Sequence, residues 1–237
     1  MTITRDRPAA ADSDARRALP LQNGDHLSRA EFERRFDATP NLKRAELIEG
    51  IVYMPPPVSH DGHGGPLFDV IAWLGAYRFA TPGVLGGDNS SLRMDRDNMP
   101  QPDAFLMIAP ERGGQARIDS EGYVEGAPEL IFEVAASSAS YDLFEKRDAY
   151  LRNRVQEYVV WRVLEHQIDW LVLRDGGYEP LRPGPDGVLR SAVFPGLWLD
   201  AAAMLGRDLA TVAATAQLGI ASKEHTAFVH SLTTREV

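Results

Sequence analysis

Apolar positions along the chain change period several times, and each change marks a predicted element. Ser28-Arg-Ala-Glu31 has the form of a capping box, and Phe32 and Phe36 follow at i and i+4, which predicts a short helix over about 28–38. Leu47, Ile48, Ile51, Val52 and Tyr53 surround Glu49-Gly50, the pattern of a β-hairpin or bent strand pair turning at Glu-Gly. Pro55-Pro56-Pro57 ends it. Leu67, Phe68, Val70, Ile71, Leu74 and Tyr77 form a helical stripe within residues 60–80, which stops before Thr81-Pro82-Gly83. Short strands follow. Val84–Leu85 and Ser91–Met94 flank an expected turn at Gly86-Gly87-Asp88, Pro102–Ile108 opens with Pro-Asp, and residues 110–127 read as a polar loop. Glu129–Ala135 is apolar on both faces apart from Glu133, as a fully buried strand would be.

Residues 136–141 are small and predict a turn, and Asp142–Asn153 predicts a helix burying Leu143, Phe144, Ala149 and Tyr150. Glu157–Leu164 and Ile168–Arg174 predict two strands, with an edge strand at Tyr178–Leu181. Asp200–Leu205 starts a helix, and the following Ala/Thr-rich stretch is weakly helical. The order is an α/β (α+β) layer architecture. It divides into a flexible N-terminal arm over 1–24, one domain over 25–206 and a C-terminal helical tail over 207–237.

Composition narrows the function classes. The 237 residues contain no cysteine, which removes disulfides, thiolate zinc sites and a cysteine nucleophile together. No apolar run approaches the ~20 residues that span a bilayer. The N-terminal stretch lacks the apolar core of a secretory signal, so a cytoplasmic location is expected. The balance of 25 basic to 34 acidic residues gives a net charge of −9, so any nucleic-acid contact has to be local rather than a global basic footprint. Only Lys43, Lys146 and Lys223 are lysines, which leaves three candidates for any lysine-dependent chemistry.

The chemistry-bearing signal is acid where the sheet should be dry. Asp103 opens an otherwise apolar strand, and Glu133 sits between Phe132 and Val134. A carboxylate in a buried strand is costly unless it is paired or holds a cation. If the two strands are neighbours, their acids converge within reach of one divalent ion, and hard Mg²⁺ or Mn²⁺ prefers such oxygen ligands. A helix cap or a hydrogen-bonded strand end accounts for Asp103 equally well, whereas the apolar neighbours of Glu133 favour function. Glu46 or Glu49 offers a third acid. Glu49 sits at the turn, where exposed acids need no functional reason, so Glu46 is the better ligand candidate, with a solvated strand glutamate as its plain alternative. Asp142, Glu145 and Lys146 stand at i, i+3 and i+4. That spacing suits an exposed helical ion pair. It equally suits a helix leaning its lysine over the strand that carries Glu133. His60 and His63 open the second helix; a histidine there could touch phosphate, but solvated or structural is the favoured reading.

Glu46-Leu-Ile-Glu-Gly50, Ser59-His60, Pro102-Asp103, Leu130-Ile-Phe-Glu133-Val, Asp142 with Lys146 and Tyr150, and Val155-Gln-Glu157-Tyr158 with Trp161 together resemble the Uma-type restriction endonuclease family of the PD-(D/E)XK nuclease superfamily. The resemblance runs over about residues 28–200. It implies a restriction-endonuclease-like core, a central mixed β-sheet flanked by helices. It also implies a metal site from Glu46, Asp103 and Glu133, with Lys146 as a relocated motif lysine. The superfamily pattern places lysine two residues after the glutamate, where this chain has Ala135.

The function this implies is metal-dependent hydrolysis of DNA phosphodiester bonds, with Asp103, Glu133, Lys146 and Glu46 as catalytic residues and Mg²⁺ (or Mn²⁺) as cofactor. A homodimer would suit it, since two strands are cut most simply by two symmetric sites. Asp103→Asn is expected to remove activity while stability holds or rises, as carboxylate repulsion is relieved. The alternative is a catalytically inactive nuclease-fold module that binds nucleic acid or another partner. Motifs of P-loop NTPases, α/β-hydrolases and zincins are missing from the sequence.

Overall fold

The apolar runs become strands and helices in the expected order, and the most buried of them assemble into one sheet. The computed structural model describes residues 18–136 and 142–234. Helix α1 (Arg29–Asp37) precedes the hairpin β1 (Glu46–Ile48) and β2 (Ile51–Tyr53). Its turn has Glu49 at φ 53° and Gly50 at φ 75°, the left-handed pair of a tight hairpin that matches strand twist. A π-helical turn, His60–Gly64, then runs into helix α2 (Gly65–Ala80). Strand β3 (Val84–Asp88) continues through both glycines expected to form a turn, because it pairs along its whole length with β5 (Ala104–Ile108). The expected polar loop contains β6 (Arg117–Ile118) and β7 (Val124–Glu125), which join β4 (Leu92–Arg93) in a small sheet. The turn expected over 136–141 lies, apart from Ala136, outside the described residues.

Strand β8 (Leu130–Ala135) is followed by a second π-helical turn (Asp142–Lys146) and helix α3 (Arg147–Arg152), which carry the chain across to β9 (Glu157–Arg162). Strands β10 (Gln167–Arg174) and β11 (Gly177–Pro180) complete the main sheet, in the order β11-β10-β9-β8-β5-β3. The β8–β9 pair is parallel and the others are antiparallel, so the sheet is mixed. A further hairpin, β12 (Val188–Arg190) and β13 (Trp198–Asp200), leads to helices α4 (Ala201–Leu205), α5 (Leu209–Ile220) and α6 (Lys223–Thr234). Among the described residues no helix is long and apolar enough to cross a membrane.

The two faces of β8 build two cores. Leu130, Phe132 and Val134 face α2 and the C-terminal helices, whereas Ile131 and Ala135 pack with Tyr150 and Tyr158. Trp73 meets Phe132 and Trp170 edge-on, with ring centroids 6.3 and 5.9 Å apart, the geometry aromatic pairs favour. Deleting a ring buried like that of Phe132 costs about 3–5 kcal/mol. Both chain ends depart from the sequence reading. Residues 1–17 of the expected arm lie outside the described residues, but Leu21 is buried and Gly24 N–H donates to Val52 O at 2.8 Å. Residues expected to form a tail join the main core instead, through Val212, Ala216 and Leu232.

Candidate functional site

Four elements deliver the charged residues to one place. The register sets Ala104 opposite Phe132, so Asp103, one residue earlier, faces Glu133 across an antiparallel pair. Opposed residues of such a pair share a face. Asp103 N–H donates to Glu133 Oε2 at 3.4 Å, and Val134 N–H donates to Asp103 Oδ2 at 2.8 Å. Glu46 comes from β1, where Gln101 N–H donates to its Oε1 at 2.7 Å. Lys146 closes the second π-helical turn, and its Nζ lies 2.9 Å from Glu133 Oε1 and 3.1 Å from Glu46 Oε1. Tyr150, one helical turn later, donates its hydroxyl to Glu133 Oε1 at 2.9 Å. Glu46, Asp103, Glu133 and Lys146 are each only 2–3 % exposed, so the plain readings as solvated strand acids and an exposed helical ion pair do not describe them. They form the floor of a cleft of about 390 Å³, walled by Pro55, Pro56, Pro57 and Leu164.

Position 135 has the same parity on β8 as position 133, and Ala135 is buried in the core beside Tyr150. The ammonium that lies beside Glu133 comes instead from Lys146, in the following turn.

Sequence reasoning missed two neighbours. His63 is buried, with Nε2 3.0 Å from both Asp103 oxygens, while His60 is exposed. An ionised carboxylate can only accept, so His63 Nε2 carries the hydrogen. Its Nδ1 is buried and has no hydrogen-bond partner among the described residues. The signal lay in the first turn: Ser59 Oγ accepts from Gly62 N–H at 3.2 Å, and this cap holds the π-helical turn that aims His63 inward. Such wide turns recur at functional sites, and both of those among the described residues carry a residue of the cleft. Arg44, two residues before Glu46 and so of the same strand parity, brings Nη2 within 3.4 Å of Asp103 Oδ1. Glu49, the alternative third acid, instead pairs at the surface with Arg152. Arg152 also reaches Asp95, and Arg147 pairs with Asp148.

The electrostatics single out Asp103. Burial works to raise its pKa, but the hydrogen bond and charge of His63, the charge of Lys146 and the Val134 N–H together hold the carboxyl below the usual aspartate value. A carboxylate kept ionised at such depth is suited to bind a cation or an imidazolium.

The donor chemistry fits a hard divalent ion. Mg²⁺ is commonly held through one or two carboxylates, with waters and substrate oxygens completing its shell, and Asp103 with Glu133 supplies two. Glu46 adds a third carboxylate to the cleft, held by Gln101 and Lys146. Among the described residues no three His, Asp or Glu side chains are grouped as ligands. Instead the Lys146 ammonium bridges Glu46 and Glu133, a monovalent charge between two acids.

The family model described as "Uma2: Putative restriction endonuclease" matches residues 29–202. Among solved structures the chain is similar to one titled as a putative nuclease belonging to DUF820 from Anabaena variabilis ATCC 29413. The two share 14% sequence identity over 71% of this chain and 97% of that one, with a TM-score of 0.50. No curated protein matches the chain. The structural likeness shows the fold alone, a six-stranded mixed sheet flanked by helices.

Proposed function

The chain belongs to the Uma2 family, and from that premise we propose that it is a metal-dependent endonuclease that hydrolyses DNA phosphodiester bonds. The observation that supports this reading most is the buried contact of Lys146 with Glu133 and Glu46, beside an ionised Asp103. Four charged groups this deep in a fold have a cost that only a paired, functional arrangement explains well.

Asp103 and Glu133 would hold Mg²⁺ or Mn²⁺, with Glu46 as a further ligand. When bound, the cation supplies activation of a water and charge neutralisation at the scissile phosphate. The chain's own residues do the rest. His63 and Val134 N–H fix the Asp103 carboxylate from two directions, and Tyr150 fixes that of Glu133. Lys146 carries a positive charge at the cleft floor, where it stabilises the negative charge that builds on phosphate oxygens during attack. Charge already positioned in a water-poor site acts strongly there, because nothing has to reorganise. Arg44 is a second cation lining the cleft and would meet the DNA backbone.

The test is plasmid nicking by the full chain with Mg²⁺, Mn²⁺ or EDTA, beside calorimetric metal titration. Cleavage that needs a divalent cation, with metal bound by the parent chain, supports the reading. No metal binding and no cleavage across single-stranded, duplex and supercoiled DNA overturns it. A second reading, the catalytically inactive nuclease-fold module, draws on one observation: Lys146 already occupies the place between Glu46 and Glu133. It is supported by binding of nucleic acid that is indifferent to EDTA.

A further inference from the structure

Helix α2 is apolar on every side. Of its sixteen residues only Asp69 and Arg78 are charged. A helix of that kind is normally buried all round. Leu67, Val70, Trp73, Leu74 and Tyr77 do face the core, but the opposite side is open. Phe68 is 73 % exposed and Phe79 83 %, with Ile71 also exposed. At 3.6 residues per turn, Phe68, Ala72, Gly75 and Phe79 lie in one line, spaced 4, 3 and 4 apart. The face borders an apolar groove of about 550 Å³ that extends over edge strand β3 and includes Phe105 and Leu106.

Gly75 is the independent clue. A Cβ added there would meet no heavy atom within 4 Å, so nothing in the packing of the described residues calls for glycine. In a helix interior glycine costs about 1 kcal/mol relative to alanine. A glycine in open space on an apolar helix face makes sense where another backbone comes close.

We propose that this face is the two-fold interface of a homodimer, with α2 packed antiparallel against α2 of a second copy. The register is self-complementary. A two-fold axis crossing the helices between positions 73 and 74 sets Phe68 against Phe79 of the other copy, Ala72 against Gly75, and Ile71 against Ala76, so large residues meet either each other at the ends or small ones at the centre. Symmetric pairing demands this reciprocity. Charge agrees with it: the same axis sets Arg78 of one copy against Asp69 of the other, the only two charged residues of the helix. The partner is a second copy rather than nucleic acid, because an apolar face with a net charge of −9 behind it offers a phosphate backbone little.

The proposal rests on α2 and not on the chemistry of the cleft. Light scattering and sedimentation of the full chain at micromolar concentrations read it directly. The parent should have twice the 26.2 kDa chain mass. Gly75→Glu, which the monomer has room for, should halve that mass while the far-ultraviolet circular dichroism stays unchanged. Phe68→Ser with Phe79→Ser should do the same. The register is checked by engineered cysteines, since the chain has none. Chains bearing Ala72→Cys mixed with chains bearing Gly75→Cys should oxidise mainly to the mixed cross-linked pair. A parent that stays monomeric overturns the proposal and leaves the face to a different protein. A folded Gly75→Glu chain that remains dimeric, or the absence of the mixed pair, overturns it as well.

Discussion

The ammonium of Lys146 lies 2.9 Å from Glu133 Oε1, and neither side chain has more than 3 % of its surface in water. Glu46 Oε1 shares the same ammonium at 3.1 Å. Removing the lysine leaves two buried carboxylates without their common counter-charge, a change that typically costs about 3–5 kcal/mol. Lys146→Ala should therefore melt well below the parent and lose roughly 10²–10³-fold in cleavage rate, the usual effect of deleting one electrostatic group. A divalent cation should raise the melting temperature of the variant more than that of the parent, because it supplies the missing charge. Equal shifts in the two proteins would show that lysine and cation do not serve the same carboxylates.

Asp103→Asn is expected to destabilise, contrary to the expectation from sequence. The carboxylate accepts from His63 Nε2 and Val134 N–H, and its pKa lies below the ordinary value. A depressed aspartate contributes stability above its unfolded pKa and loses it as pH falls through the folded one. Asparagine carries no charge and turns an NH₂ toward one of these donors. The loss should be about 1–3 kcal/mol near neutral pH, shrinking as the solution is acidified. Denaturant titrations of both proteins at a series of pH values measure it. A variant at least as stable as the parent near neutrality would mean that carboxylate repulsion outweighs these bonds.

How much of this was legible follows from which forces act locally. The succession of strands along the chain could be read, and β8 as a buried one, because it is apolar on both faces apart from Glu133, and only a sheet covered on two sides needs that. The pairing of Asp103 with Glu133 could be guessed because acids in such strands are rare. Strand β3 was misread at Gly86-Gly87, because pairing with β5 overrides the local turn preference of glycine. The hairpin of β12 and β13 and the burial of α5 and α6 come from tertiary contacts that no local pattern announces. His63 read as solvated or structural, with no partner named, because that partner is forty residues away.

His63 also yields a prediction. On the proposed function it positions Asp103 as a ligand, so His63→Ala should weaken metal binding about 10–100-fold, as losses of residues behind ligands commonly do. His63→Gln keeps a side-chain NH₂ near the position of Nε2 and should recover part of that affinity. Calorimetric titration with Mn²⁺ separates this role from a structural one. If alanine and glutamine bind the ion as the parent does while both melt lower, the histidine only supports the fold.

The last prediction concerns a buried acid outside the cleft. Glu157, on β9, is fully buried and ties the 191–194 turn to the sheet. Its Oε2 accepts from Ser191 Oγ at 2.7 Å, and Oε1 accepts from the Ala192 and Val193 N–H at 2.6 and 3.3 Å. Burial raises its pKa, and these hydrogen bonds oppose the rise without cancelling it. The folded chain therefore keeps this proton to higher pH than the unfolded chain, whose glutamates titrate near pH 4.3. Stability from this group is full below that pH and falls as pH rises toward the folded value, because the folded state there binds more protons. Glutamine removes the titration and keeps the two N–H contacts through its carbonyl, but its NH₂ meets a Ser191 Oγ that already accepts from Phe194 N–H at 2.8 Å, so the variant lacks the Ser191 bond at every pH and the pH dependence of the difference carries the test. Glu157→Gln should gain stability relative to the parent as pH climbs through that window, then level off once both states of the parent are ionised. Urea titrations of the two proteins from about pH 4 to pH 8 give the difference directly. A difference that stays constant over the range would mean that the carboxyl titrates alike in the folded and unfolded chain.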